Sequence, residues 1–195
     1  DRLNAGRPQD AVQDHVPIYV EKILAGGERL HDDWGVDGTT GYEFMNQVSL
    51  LQHDPAGESL LCSLWSETSG RTTDFMEEAR QARQLVLTGP LAGDFETVAL
   101  SLLQVARGDV MTRDITLGAI RRALLELIIH FPVYRTYIAA PGRREADEPF
   151  FQQALDGAKT TLSEADWPLL EHLQRWLGGE SLRQLPLSAS TASRQ

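Results

Sequence analysis

VPIYVEKILAGGERLHDDWGVDGTTGYEF, residues 16–44, opens on a β-branched and aromatic run of Val16, Ile18, Tyr19 and Val20. Bounded by Pro17 and by Gly26-Gly27, this composition predicts a short strand over residues 16–22. Glu21 and Lys22 fall where that strand should end. A charged pair beside an apolar strand is costly if buried without partners. In an α/β barrel the same position is where catalytic groups stand, because the loops after the strands build the active face. Further on, Gly38-Thr39-Thr40-Gly41-Tyr42 runs into Phe44 and Met45. Two threonines between glycines imply backbone held close to something, and a second extended segment is expected over residues 39–44.

From Asp54-Pro55 onward the apolar period changes from two to that of a helix. Leu60, Leu61, Leu64 and Trp65 share one helical face. Thr73 or Asp74 should cap a helix burying Phe75, Met76, Ala79, Ala82, Leu85 and Val86, ended by Gly89-Pro90. Phe95, Val98, Leu102, Val105 and Ala106 mark the next, stopped at Gly108. Asp114 is the expected cap of a strongly apolar helix with Leu117, Ile120, Leu124, Leu127, Ile128 and Phe131 inward, closed by Pro132. After the loop RREADE, Phe150, Phe151, Ala154, Leu155 and Ala158 form another inward face. The last helix carries Pro168 in its first turn and is expected to bury Trp167, Leu170, Leu173, Trp176 and Leu177 before Gly178-Gly179. The fold class is therefore mainly α: five to six amphipathic helices preceded by one or two short strands.

The 195 residues carry a formal net charge of −10, with 42% hydrophobic and 24% charged residues. This is ordinary for a globular domain with a sizeable core. The acidity argues against nucleic acid and anionic membrane surfaces, which attract basic faces, and is compatible with a neutral sugar. Cys62 is the single cysteine, so no intramolecular disulfide can form, in keeping with a reducing cytoplasm. No apolar run is long enough to span a bilayer. The histidines His15, His31, His53, His130 and His172 show no metal-ligand spacing. Trp65, Trp167 and Trp176 sit at core spacing rather than as sugar platforms.

Residues 20–44, VEKILAGGERLHDDWGVDGTTGYEF, and His130-Phe131-Pro132-Val133-Tyr134-Arg135-Thr136-Tyr137 carry a resemblance. Both closely resemble the maltooligosyl trehalose synthases, enzymes of the α-amylase superfamily (glycoside hydrolase family 13), over most of residues 16–140. Glu43 departs from the pattern, standing where the family usually has aspartate. The resemblance implies a partial (β/α)8 barrel segment over residues 1–53, a helical insertion over 54–186 and a polar tail over 187–195. It implies an internal fragment of a longer enzyme that isomerises the reducing-end α-1,4 link of a maltooligosaccharide to α,α-1,1, without a cofactor, in the cytoplasm.

Cleaving a glycosidic bond with retention needs two carboxyl groups roughly 5 Å apart, one to protonate the leaving oxygen and one to attack the anomeric carbon. On the residues alone, Glu21 at a strand end is more commonly a sheet-edge ion-pair partner. By resemblance it matches the family's general acid/base. The resemblance also calls for an aspartate nucleophile in an Arg-x-Asp-His-like motif upstream, and for a bracing aspartate after a Met-Ala-Lys-Gly-like strand. Asp1, Asp10 and Asp14 lack the flanking residues of the first, and no such strand follows. The expectation is one carboxylate of three, and no turnover by this chain alone. Lys22, Trp34, Thr39, Thr40 and Tyr42 are candidate sugar-binding residues, through paired hydroxyl hydrogen bonds and ring stacking. Their structural alternatives are a turn for the threonines and a packing anchor for Trp34. Arg135 and Tyr137 are candidates for lining the substrate groove or for tying the helices to the barrel. The alternatives for the whole are an amylase-type hydrolase and a non-catalytic helical interaction module.

Overall fold

The computed structural model describes residues 5, 6 and 15–179. The expectations on Asp1, Asp10, Asp14 and the tail 187–195 lie outside the described residues. The chain divides into two compact units between Thr68 and Ser69.

The first unit begins with two short parallel strands, β1 (Tyr19–Val20) and β2 (Gly38–Thr39), in the register Tyr19 to Gly38 and Val20 to Thr39. The expected strand over 16–22 is thus confined to its centre. Asp37 fastens its start. The Asp37 carboxylate accepts the Ile18 N–H at 2.7 Å and lies 2.6 Å from His15 Nε2, while the Asp37 N–H donates to the Ile18 carbonyl. These contacts, the Ile18 N–H first, hold the Asp37 carboxyl below its ordinary range.

Tyr42, Glu43 and Phe44 are not extended, contrary to the expectation, but open helix α1 (Tyr42–Leu50). The turn is made by Gly41, whose φ of 97° falls in the left-handed region that a side chain resists. The Thr39 hydroxyl donates to Glu43 Oε2 at 2.6 Å and accepts the Gly41 N–H at 3.2 Å. Glu43 sits in the first turn, where a carboxylate meets the positive end of the helix. Its carboxyl is held below the usual range, chiefly by the Thr39 hydroxyl and then by its own N–H. The Gly41 turn and the Glu43 carboxylate at the helix start outweigh the β propensity of a threonine-aromatic run.

Helix α2 (Glu58–Ser69) follows an Asp54-capped turn. Its expected inner face is exposed: Leu60 at 75%, Leu61 at 60%, Leu64 at 59% and Trp65 at 47%. Lys22 is the sole buried residue among the described residues of this unit.

The second unit is a helical bundle: α3 (Phe75–Thr88), α4 (Ala92–Arg107), α5 (Leu117–Ile129), α6 (Glu148–Thr161) and α7 (Trp167–Gln174), the last running into a wide turn over Arg175–Gly179. Its core interleaves Leu102 and Leu103 of α4, Ile120, Leu124 and Leu127 of α5, Phe151 and Leu155 of α6, and Leu169, Leu170 and Leu173 of α7. Alanines at 99, 106, 123, 154 and 158 let the helices approach. Each such leucine stabilises the fold by ~1.5–3 kcal/mol relative to exposure.

Asp74 caps α3 by accepting the Met76 and Glu77 N–H groups, as its position predicts. For α5 the cap is Thr116, accepting the Ala119 N–H at 3.2 Å, not Asp114. Residues 109–114 are taken up instead by a turn in which the Thr112 hydroxyl donates to the Ala106 carbonyl. The predicted inner face of α3 also needs correcting. Phe75, Met76, Leu85 and Val86 are exposed. What α3 turns inward is polar: Arg83 donates to the Ile129 and Phe131 carbonyls at 2.9 and 2.8 Å, closing the end of α5. Trp167 stays at the rim, with the Lys159 ammonium 5.9 Å from its ring.

Candidate active-site mouth

The parallel pairing decides where the chemistry-bearing residues of the first unit fall. Glu21 follows the last residue of β1, and Thr40 follows the last residue of β2. Strands that run the same way end on the same edge, and the Thr40 N–H reaches back to the Val20 carbonyl at 3.1 Å. Gly41 then swings Tyr42 onto α1, so that the phenol hydroxyl donates to Glu21 Oε1 at 3.4 Å. Glu21, Thr40, Gly41, Tyr42 and Met45 together line an open cavity of about 410 Å³.

Three of the residues singled out in the sequence, Glu21, Thr40 and Tyr42, therefore meet at one mouth. Others are engaged elsewhere. The Thr39 hydroxyl is occupied by Glu43 and the Gly41 N–H. Trp34 lies in the turn Asp32–Trp34, its ring stacked on His31 at 5.0 Å. Lys22 points away from the mouth, its ammonium 2.7 Å from Glu28 Oε1. Arg135 and Tyr137 belong to the second unit, where the guanidinium lies 4.6 Å over the phenol ring.

Met45 and Glu28 were missed in the sequence. Met45 reads there as generic apolar filling, and only the start of α1 at Tyr42 brings it one turn onward to the cavity. No capping side chain announces that start, because the residue before α1 is Gly41. Nothing in the spacing of Lys22 and Glu28 announces their pairing.

A larger groove of about 740 Å³ lies in the second unit, among Arg80, Arg83, His130, Gln152, Asp156 and their neighbours. None of the candidate catalytic or sugar-binding residues lines it. Its arginines are committed, Arg80 to Glu77 and Arg83 to the end of α5. Volume alone does not make it the better candidate. Among the described residues no cluster of three or more acidic, histidine or cysteine side chains is placed to hold a metal ion.

No protein-family model matches the sequence. The chain is similar to proteins named maltooligosyl- or glycosyltrehalose synthases. Among solved structures, a variant of maltooligosyltrehalose synthase from Arthrobacter ramosus superposes with a TM-score of 0.63 at 27% identity, over 91% of this chain and 20% of that one. A glycosyltrehalose synthase superposes with a TM-score of 0.55 at 30% identity, over 83% of this chain and 19% of its own. Among curated proteins, maltooligosyl trehalose synthases (a provisional name) from two strains of Mycobacterium tuberculosis are 47% identical over 47 residues, 24% of this chain and 6% of theirs. The chain thus spans about a fifth of the solved relatives.

Proposed function

We propose that this chain is part of a maltooligosyl-trehalose-synthase-like enzyme and that Glu21 is its general acid/base. The observation that carries the reading is the shared edge: Glu21 and the Thr40–Tyr42 turn stand together at the C-terminal ends of two parallel strands. That is where α/β barrels build their active sites. In this reading β1 and β2 are neighbouring strands of a (β/α)8 barrel, residues 1–53 are a barrel segment, and residues 54–186 are a helical insertion. The substrate is a maltooligosaccharide.

The chemistry follows from retention with two carboxyl groups. Glu21 gives its proton to the oxygen of the reducing-end α-1,4 link as that bond breaks. A second carboxylate, from elsewhere in the enzyme, takes the anomeric carbon. The freed glucose turns, and Glu21, now a carboxylate, removes the proton from its anomeric hydroxyl. That oxygen attacks the anomeric carbon of the glycosyl-enzyme, displaces the second carboxylate and closes the α,α-1,1 link. Thr40 and Tyr42 supply hydroxyls to the sugar. The pocket must keep water from the glycosyl-enzyme long enough for the glucose to turn.

Glu21→Gln in the full-length protein tests this. Loss of reducing ends from maltopentaose should fall by ~10²–10⁴. Activity equal to the parent's would remove Glu21 from the mechanism. Release of free glucose as the main product of the unaltered enzyme would favour an amylase-type hydrolase instead. A non-catalytic helical module is the remaining reading, favoured by the separate core of the second unit.

A further inference from the structure

We propose that Lys22 and Glu28 form a positioning pair that fixes the direction of the Glu21 carboxyl, an inference that rests on the catalytic reading of Glu21. Both side chains are only 9% exposed, and the Nζ–Oε1 distance is 2.7 Å. The pair is closed at both ends. Lys22 Nζ also donates to the Ile23 carbonyl at 3.2 Å, and Glu28 Oε2 accepts the Ala25 N–H at 3.0 Å. The Glu28 N–H in turn donates to the Ala25 carbonyl at 3.0 Å, and the Lys22 N–H to the Val20 carbonyl at 2.9 Å. The loop after β1 is thereby tied back upon itself by one buried ion pair.

The consequence for Glu21 is directional. The Lys22 N–H bond to the Val20 carbonyl closes a three-residue turn centred on Glu21, and the two neighbouring side chains differ in burial. Lys22 is the buried member and Glu21 the exposed one. With Lys22 held inward by Glu28, Glu21 is held outward toward the Tyr42 hydroxyl and the cavity. A unit with no apolar core among its described residues has little else to set that direction. The ammonium is thus engaged by the loop itself.

Breaking such a pair leaves a buried charge unpaired, whereas removing both charges does not. The test uses the full-length protein with Glu28→Gln, Lys22→Met, the double variant and Lys22→Arg, beside Glu21→Gln. Each neutralising single variant should lower kcat ~tenfold or more with KM within about twofold, since the acid is misdirected while the sugar contacts remain. Lys22→Arg and the double variant should each recover most of that loss. Hydrogen exchange across residues 21–28 should quicken in the two neutralising single variants and return toward the parent's in the double. Glu28→Gln and Lys22→Met at full kcat, with Glu21→Gln inactive, overturn the positioning role alone. So does unchanged exchange across the loop, or a rise in KM at constant kcat. Glu21→Gln with full turnover sinks the catalytic reading and the positioning claim with it.

Discussion

Tyr42 offers one hydroxyl to the carboxyl assigned to acid catalysis, at a distance of 3.4 Å. Tyr42→Phe removes that donor, and with it the hydroxyl proposed to meet the sugar. A hydrogen bond of this kind is worth about 1 kcal/mol, so kcat should drop roughly five- to tenfold in the full-length protein. A rate equal to the parent's would leave the phenol as a spacer only. His130 makes a different kind of case. Its ring is half-buried, and burial first, then the charge of Arg80, push its pKa below the ordinary 6.5, against the opposing pull of Glu126. Arg83 acts in the same direction as Arg80. With the folded value depressed, the unfolded chain takes the proton first as pH falls below about 6.5. Stability from neutral His130 is then present above that pH and drains away as pH drops through the folded value. The urea midpoint should be lower at about pH 5.5 than at about pH 7.5, and His130→Gln should narrow the gap. An unaltered gap in the variant would assign the pH dependence to other groups. Neither residue's role was legible beforehand. Tyr42 could be named as a candidate from its neighbours in the motif, but its reach to Glu21 depends on the φ of Gly41.

At the scale of elements, the helices with one continuous apolar stripe were legible and the rest were not. The faces of α5 and α6 were readable because the residues at three- and four-residue spacing are the ones that the bundle buries. The stripe on α3 obeyed the same spacing and misled, since periodicity reports that a face is apolar and not that anything covers it. The cap of α5 was misplaced by two residues because aspartate and threonine cap equally well in sequence terms. Only the Thr112 bond to Ala106 shows why the chain turns again before starting the helix. The α5–α6 contact is closer than composition reveals. A Cβ at Gly157 would lie 2.5 Å from His130 Nδ1. Gly157→Ala should therefore destabilise the bundle by ~1–3 kcal/mol despite alanine's better helix propensity. A raised denaturation midpoint would show that the ring moves aside freely.

For the whole molecule, mainly helical character with two short strands was legible from composition and period. That the first unit reaches to Thr68, with α1 and most of α2 in it, was not. The two units differ in how they use apolar residues. The second gathers them into a core, whereas Leu60, Leu61 and Leu64 on α2 and Phe44 and Met45 on α1 face outward. Exposed apolar residues at this density favour association. The 195-residue chain should bind a hydrophobic dye and elute earlier from a sizing column as its concentration rises. Leu61→Lys with Leu64→Glu should weaken both effects, and a dye-silent monomer would contradict the exposed faces.

Arg83 of α3 fills the carbonyls at the tail of α5 across 46 and 48 residues of sequence. Peeling α3 away would strand two acceptors that α5 cannot satisfy by itself. The first of these helices, though it contributes no buried residue of its own, is thus expected to melt in step with the second rather than fray ahead of it.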